Sequence, residues 1–85
     1  MTIHVSQPDT AYASHSVRIV LDGNYIGTIG PGGSISGQSA GPDNEPWHLV
    51  VTCGLLRAEA YGVHDMAFQI LWSLSAQMEL RPVKH

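Results

Sequence analysis

Ionic side chains are scarce in this sequence: charged residues make up 13% of its 85 residues, about half the ~25% typical of soluble proteins. Four lysines and arginines face seven acids, so the chain has no basic cluster with which to neutralise nucleic-acid phosphates. Hydrophobic residues reach 44%, which excludes an intrinsically disordered chain. A chain this short builds one core, and we therefore treat residues 1–85 as a single domain.

Cysteine is equally scarce, since Cys53 stands alone. A small secreted domain would normally carry several disulfides, so one cysteine predicts a cytoplasmic protein. Residues 1–8 show neither the basic start nor the apolar stretch of a signal peptide. The longest uncharged run near the other end, residues 66–78, includes serines and glutamines and is too short to cross a bilayer. We therefore expect no contact with a membrane.

Motifs that would fix a chemistry are also missing. Residues 32–39 match the phosphate-binding P-loop pattern, except that Gln38 replaces the lysine and no helix-forming sequence follows. The five histidines lack the close pairs of a zinc site. His64-Asp65 resembles the metal-binding dipeptide of HD-type phosphohydrolases, but the further histidines of that family are absent. We expect no cofactor, no metal and no catalytic residues, and keep a small metal-dependent hydrolase using His64 and Asp65 as a lesser alternative.

Alternating apolar residues indicate β-strands in the first two thirds of the chain. Residues 17–29 contain two such runs on either side of Asp22-Gly23, the strongest short-range signal for a hairpin. Residues 47–53 have the same period and one strongly apolar face. The first sixteen residues read as an edge strand or a loose arm.

Residues 55–80 allow two interpretations. Leu56, Ala60, Val63, Ala67 and later apolar residues recur at helical spacing, so one helix could fill the whole segment. Gly62 would cost about 1 kcal/mol inside a helix, and we therefore favour a strand over 55–61 and a helix over 64–80. This predicts an α+β fold, in which a small antiparallel sheet of three to five strands carries one C-terminal α-helix on one face.

The predicted helix would have an unusually uncharged surface, because no charged residue lies between Asp65 and Glu79. A solitary helix would normally expose lysine and glutamate there. A second copy of the chain is the simplest cover, which predicts a homodimer with Phe68, Trp72 and Ser75 at its interface. The alternative is a monomer in which residues 30–46 fold over the helix.

Residues 30–46 form the segment that we expect to contact a partner. Five glycines, three prolines and three serines among 17 residues predict a long loop, and long loops in small domains are often functional. We expect the partner, a protein, to contact the following loop residues and neighbouring aromatic residues: Tyr25, Ser34, Gln38, Asp43, Glu45 and Trp47.

The layout of residues 17–29, 47–61 and 62–67, the last entering a helix, resembles the small sheet-plus-helix inhibitor proteins of bacteriophages and mobile elements, anti-CRISPR proteins among them. The resemblance has no sequence motif, so it assigns no residue a role. It implies a non-enzymatic, stoichiometric inhibitor of a larger bacterial defence complex. A structural or regulatory homodimeric subunit is the alternative.

Overall fold

Eight β-strands make up the fold. The computed structural model describes residues 1–8, 15–39, 45–73 and 77–83, and these contain no helix. The strands are β1 (Thr2–Ser6), β2 (Val17–Leu21), β3 (Asn24–Ile29), β4 (Ser34–Gln38), β5 (Trp47–Cys53), β6 (Leu56–Gly62), β7 (Met66–Trp72) and β8 (Met78–Pro82).

The strands form two four-stranded sheets, with orders β4-β1-β7-β8 and β3-β2-β5-β6. All neighbouring strands are antiparallel except β1 and β7, which run parallel. Edge strands β6 and β8 lie alongside each other, as do β3 and β4. One face of each sheet packs against the other to form a β-sandwich, and the remaining face of each sheet points outward.

Side-chain alternation creates the core between the sheets. Successive residues of a strand point to opposite faces, so every second residue of the interior strands is inward. The fully or almost fully buried apolar residues are Ile3, Val5, Val17, Ile19, Leu21, Ile29, Trp47, Leu49, Val51, Phe68 and Ile70. Both sheets contribute to this set, which makes it a single core for the domain.

The predicted α+β class is wrong, because the segment expected to be helical contains β7 and β8. Phe68 and Ile70 of β7 are buried while their neighbours are less so, which is the two-residue period of a strand. The apolar residues of this segment are dense enough to fit either period. Pairing of β7 with β1 on one side and with β8 on the other decides the outcome, because the two ladders supply hydrogen-bond partners to backbone groups of β7.

Two further interpretations need correction. The first residues form no edge strand or loose arm over their described part, because β1 lies inside its sheet between β4 and β7. Residues 30–46 are not one long loop, since β4 occupies their middle and pairs with β1. Glycine fits position 37 of β4, because a Cβ on Gly37 would lie 2.8 Å from the Ile26 Cδ1 and 3.2 Å from the Leu21 Cδ2.

The hairpin over residues 17–29 and the strands at 47–53 and 55–61 are confirmed. Asp22 and Gly23 have φ angles of 53° and 80°, the pair of left-handed conformations that a two-residue type I′ turn requires. The Asp22 carboxylate also accepts hydrogen bonds from the His48 N–H at 2.9 Å and from the Ser39 hydroxyl at 3.1 Å. This turn therefore connects β2 and β3 to the beginning of β5.

Asp22 gives a prediction that separates hydrogen bonding from backbone conformation. Asp22→Gly removes the carboxylate but accepts a positive φ, and we expect it to lower the free energy of unfolding by about 1 to 2 kcal/mol. Asp22→Ala should cost about 1 kcal/mol more, because alanine is strained in the left-handed region. Urea denaturation measures both values. Equal stabilities of the two variants would contradict the assigned turn.

The chain is as compact as a folded domain of this length, with a radius of gyration of 12.3 Å against about 12 Å expected. Within the described ranges, no helix has the length and apolar character needed to span a membrane.

Candidate functional site

The two outward sheet faces differ in chemistry. The outward residues of the β4-β1-β7-β8 sheet are mostly hydroxyl and amide side chains, and we call this surface the hydroxyl face. It comprises Thr2, His4, Ser6, Ser34, Ser36, Gln38, Ala67, Gln69, Leu71, Glu79 and Arg81. The outward residues of the other sheet form the aromatic face. It comprises Arg18, Val20, Tyr25, Thr28, His48, Val50, Thr52, Arg57, Glu59 and Tyr61.

Strand register arranges the aromatic face in three rows that cross the strands. The first row is Thr28, Arg18, Thr52 and Arg57, and the second is Tyr25, Val20, Val50 and Glu59. The third row pairs His48 with Tyr61. Neighbours within a row are about 5 Å apart, and successive rows are about 7 Å apart, since two residues separate them along a strand.

Two valines occupy the middle of the aromatic face. Val20 and Val50 are opposite each other on β2 and β5, the interior strands of the sheet. Both point away from the core and remain partly exposed. An apolar centre surrounded by polar and aromatic side chains is the usual layout of a protein-contact surface.

Tyr25 lies at one side of these valines with 55% of its area exposed. The Arg18 guanidinium carbon lies 4.9 Å from the ring centroid, within the range of a cation–π contact. The phenol oxygen is 2.6 Å from the Thr28 hydroxyl. These two contacts hold the ring in place on the surface of the free protein.

Tyr61 lies at the opposite side and is 62% exposed. Its ring stacks on His48, with centroids 4.4 Å apart and planes inclined by 2°. Glu59 forms an ion pair with Arg57, and its other carboxylate oxygen is 3.7 Å from the His48 Nε2. That distance is too long for a hydrogen bond. The His48 Nε2 is buried from solvent and has no hydrogen-bond partner among the described residues.

The residues predicted to bind a partner are not brought together. Tyr25 belongs to the aromatic face, whereas Ser34 and Gln38 lie on the hydroxyl face. Glu45 is exposed just before β5, and Asp43 lies outside the described residues. Trp47 is 1% exposed, so its side chain belongs to the core and presents no contact surface.

The residues predicted at a dimer interface are also dispersed. Phe68 is buried, with its ring 5.7 Å from that of Trp47 in an edge-to-face contact. Trp72 is half-buried, and its indole N–H donates to the Gln7 side chain at 2.6 Å. Ser75 lies outside the described residues. The helix that suggested this interface does not form, and the homodimer itself stays a prediction.

His64 and Asp65 have structural roles in the connection between β6 and β7. The His64 carbonyl accepts a hydrogen bond from the Trp47 indole N–H at 2.8 Å. The Asp65 carboxylate accepts a hydrogen bond from the Thr2 backbone N–H at 2.8 Å. It therefore caps the start of β1, and the helix predicted to begin near Asp65 does not form. The described ranges contain no group of three or more His, Cys, Asp or Glu placed to hold a metal ion.

A shallow depression of about 310 Å³ lies beside Asp65 on the hydroxyl face, lined by Thr2, His4 and Val83 among others. The His4 Nδ1 is 2.7 Å from the Ser36 hydroxyl, across the pair of β1 and β4. Serine and histidine at this distance form part of a nucleophile–base arrangement. Asp65, however, is engaged by Thr2, and the His4–Ser36 contact joins directly opposite residues of two strands. Cross-strand pairing accounts for the His4–Ser36 contact, and capping of the start of β1 accounts for the Asp65 contact.

The aromatic face is the described surface that combines exposed aromatic side chains, an apolar centre and charges. The alternation in residues 17–29 is enough to predict that Arg18, Val20 and Tyr25 point away from the core, as the structure has them. The contribution of His48, Val50 and Tyr61 was missed, although two outward valines in predicted strands were a usable signal. Comparison of the chain with protein-family models, curated proteins and solved structures gave no match.

Proposed function

We propose that this protein is a non-enzymatic protein-binding module whose contact surface is the aromatic face. The observation that carries the proposal is the outward pair Val20 and Val50, with exposed tyrosines at either side. Tyrosine and arginine are enriched among the residues that dominate binding energy at protein interfaces. The aromatic face supplies both types around an apolar centre, whereas the hydroxyl face has no exposed aromatic residue in its described strands.

Preorganisation supports the same proposal. Binding normally costs free energy because surface side chains must be ordered, at about 0.5 to 1.5 kcal/mol for each flexible side chain. Tyr25 is already held by Arg18 and Thr28, and Tyr61 is already stacked on His48. A partner would therefore meet a surface whose principal contact groups have lost much of their freedom before binding.

The proposed module works in the cytoplasm, an assignment supported by the single cysteine. Cys53 is only partly exposed and packs against the core, where it can act as a small apolar residue. The narrower expectation of an inhibitor of bacterial defence rested on a sheet-plus-helix layout. That helix is replaced by β7 and β8, and we propose the broader binding function.

Substitution at the centre of the aromatic face tests the proposal. Val50→Gln replaces an apolar contact by a polar group that a partner must desolvate, and we expect at least about a tenfold loss of partner capture. The measurement is affinity capture from a lysate of the native host, with the tagged chain as bait and quantitative mass spectrometry as readout.

Ala67→Gln provides the matched control, because Ala67 points outward from an interior strand of the opposite sheet. This variant should capture the partner as well as the unsubstituted chain does. The urea midpoints of both variants should lie within a few tenths of 1 M of the midpoint of the unsubstituted chain. Equal capture by both variants, or no protein captured specifically by the unsubstituted chain, would contradict the proposed function.

A further inference from the structure

The aromatic face carries a basic row along one side. Register places Arg18 of β2 opposite Thr52 of β5, and Thr52 opposite Arg57 of β6. The two arginines are therefore about 10 Å apart at their backbones, with a hydroxyl group between them. The acidic chain has four basic residues in all, and two of them belong to this row.

Arg18 retains free hydrogen-bonding capacity within this row. Among the described residues, no carboxylate lies within ion-pair distance of its guanidinium, whereas Arg57 pairs with Glu59 and Arg81 with Glu79. The Arg18 guanidinium carbon lies over the Tyr25 ring, and this cation–π contact uses none of the guanidinium N–H groups as hydrogen-bond donors to oxygen, so the fork of donors is left for a ligand. Such a fork matches the two oxygens of a carboxylate.

The second row, with Val20 and Val50 in its middle and Glu59 at its β6 end, lies about 7 Å from the basic row. An extended peptide aligned with the strands has the same spacing between residues i and i+2, because both side chains point to one side. An acidic residue over Arg18 and Thr52 would therefore place the side chain two positions away over the valines. A third side chain at i+4 would reach the row of His48 and Tyr61.

We infer that the aromatic face binds an extended acidic segment of a protein partner, with a carboxylate at position i and an apolar side chain at position i+2. This inference rests on the proposed function and specifies the chemistry of the partner. Nucleic acid fits less well, because tight binding of its phosphates needs several lysines or arginines. Val20 and Val50 would also lie against a charged backbone and gain no apolar contact there. Carboxylate and aliphatic groups together match both rows.

The test uses a synthetic probe, the capped peptide Glu-Ser-Leu-Ser-Phe, titrated into the ¹⁵N-labelled chain and followed by chemical-shift changes. We expect shifts at β2 and β5, with a dissociation constant of about 0.1 to 1 mM for so short a probe. Arg18→Gln should weaken binding about tenfold, because it removes a guanidinium that no described carboxylate pairs. Arg81→Gln makes the same change of charge on the hydroxyl face and should leave binding unaltered.

Several outcomes would overturn the inference. Equal binding of Lys-Ser-Leu-Ser-Phe would show that the carboxylate is not recognised, and shifts confined to β1 and β4 would place binding on the wrong face. Stronger binding of a short oligothymidylate would indicate nucleic acid. An absence of chemical-shift changes at several millimolar peptide would also contradict the inference. If capture of the host partner is lost in Val50→Gln but intact in Arg18→Gln, the inference of an acidic segment is wrong and the proposed function stands. If capture is intact in both variants, the proposed function is wrong.

Discussion

Gln7→Leu is expected to lower the free energy of unfolding by about 3 to 5 kcal/mol, which is a large part of the total for a domain of this size. Gln7 is 1% exposed and is the buried polar residue of the described core region. Its amide nitrogen donates to the His15 carbonyl at 3.0 Å and to the Ile29 carbonyl at 3.4 Å. Its amide oxygen accepts from the Trp72 indole at 2.6 Å. Leucine fills a similar volume but leaves these groups without partners, and urea denaturation measures the cost.

The position of Gln7 explains why the effect is large. The residue follows β1 in one sheet, and its side chain bonds to the end of β3 in the other sheet. It also reaches Trp72 at the end of β7, within its own sheet. One amide group therefore satisfies buried polar groups from both layers of the sandwich. Its loss removes a connection that apolar packing cannot replace.

Gln38→Leu is the matched control, because Gln38 is exposed and its amide donates to the Thr2 hydroxyl at the surface. We expect a change of less than about 1 kcal/mol. Trp72→Phe removes the donor to Gln7 and should cost about 1 to 3 kcal/mol by itself. Combining Gln7→Leu with Trp72→Phe should cost less than the sum, because neither indole N–H nor amide oxygen remains unpaired. Strictly additive costs would argue against the assigned hydrogen bond.

Local periodicity was sufficient to predict four of the strands and which of their side chains face the core. Val17, Ile19 and Leu21 share a face by alternation, and the Asp22-Gly23 turn determines where the chain reverses. Both signals lie within about a dozen residues, and the structure places the three side chains in the core. The same alternation assigned Trp47 to the buried side of β5 together with Leu49 and Val51. Its expected contact with a partner conflicted with that pattern.

The end of the chain could not be assigned in this way, because apolar residues are so dense there that helical and strand periods both fit. The decisive interaction is the parallel pairing of β7 with β1, in which Val5 is opposite Phe68. More than sixty residues separate these positions, and a local pattern contains no information about so distant a partner. Asp65 illustrates the consequence, since its carboxylate lies where the helix was predicted to begin but instead accepts a hydrogen bond from the Thr2 N–H at the start of β1.

Only part of the candidate site could be predicted from the sequence, because the sequence shows local alternation but not which strands pair. Alternation predicted the outward position of Val20 on its strand, whereas the same period in residues 47–53 was not used to recognise Val50 as a surface residue. The order β3-β2-β5-β6, however, makes β2 and β5 neighbours although β3 and β4 lie between them in sequence. The valines meet through this long-range pairing, and the row of Arg18, Thr52 and Arg57 arises from it as well. Each residue was visible in sequence, but the surface that they form was not.

Gly62→Ala is the second substitution with a large expected effect, about 2 to 3 kcal/mol of unfolding free energy. Gly62 is directly opposite Trp47 in the pair of β5 and β6. A Cβ at this position would lie 2.8 Å from the Cε2 and 3.1 Å from the Cη2 of the indole ring. The ring has little room to move away, because its N–H donates to the His64 carbonyl and the ring makes an edge-to-face contact with Phe68. The substitution should force the backbone of β6 away from β5, which thermal and urea denaturation would register.

Gly30→Ala is the control for the added methyl group and for the change in chain entropy. A Cβ at Gly30 would have the Ser16 hydroxyl as its nearest neighbour, at 4.0 Å, so we expect a change within about 0.5 kcal/mol. Trp47→Phe gives a second check, because a smaller ring leaves space beside β6. Gly62→Ala should then cost less in the Trp47→Phe background than in the unsubstituted chain. An undiminished cost in that background would show that the steric conflict with the indole is not the cause.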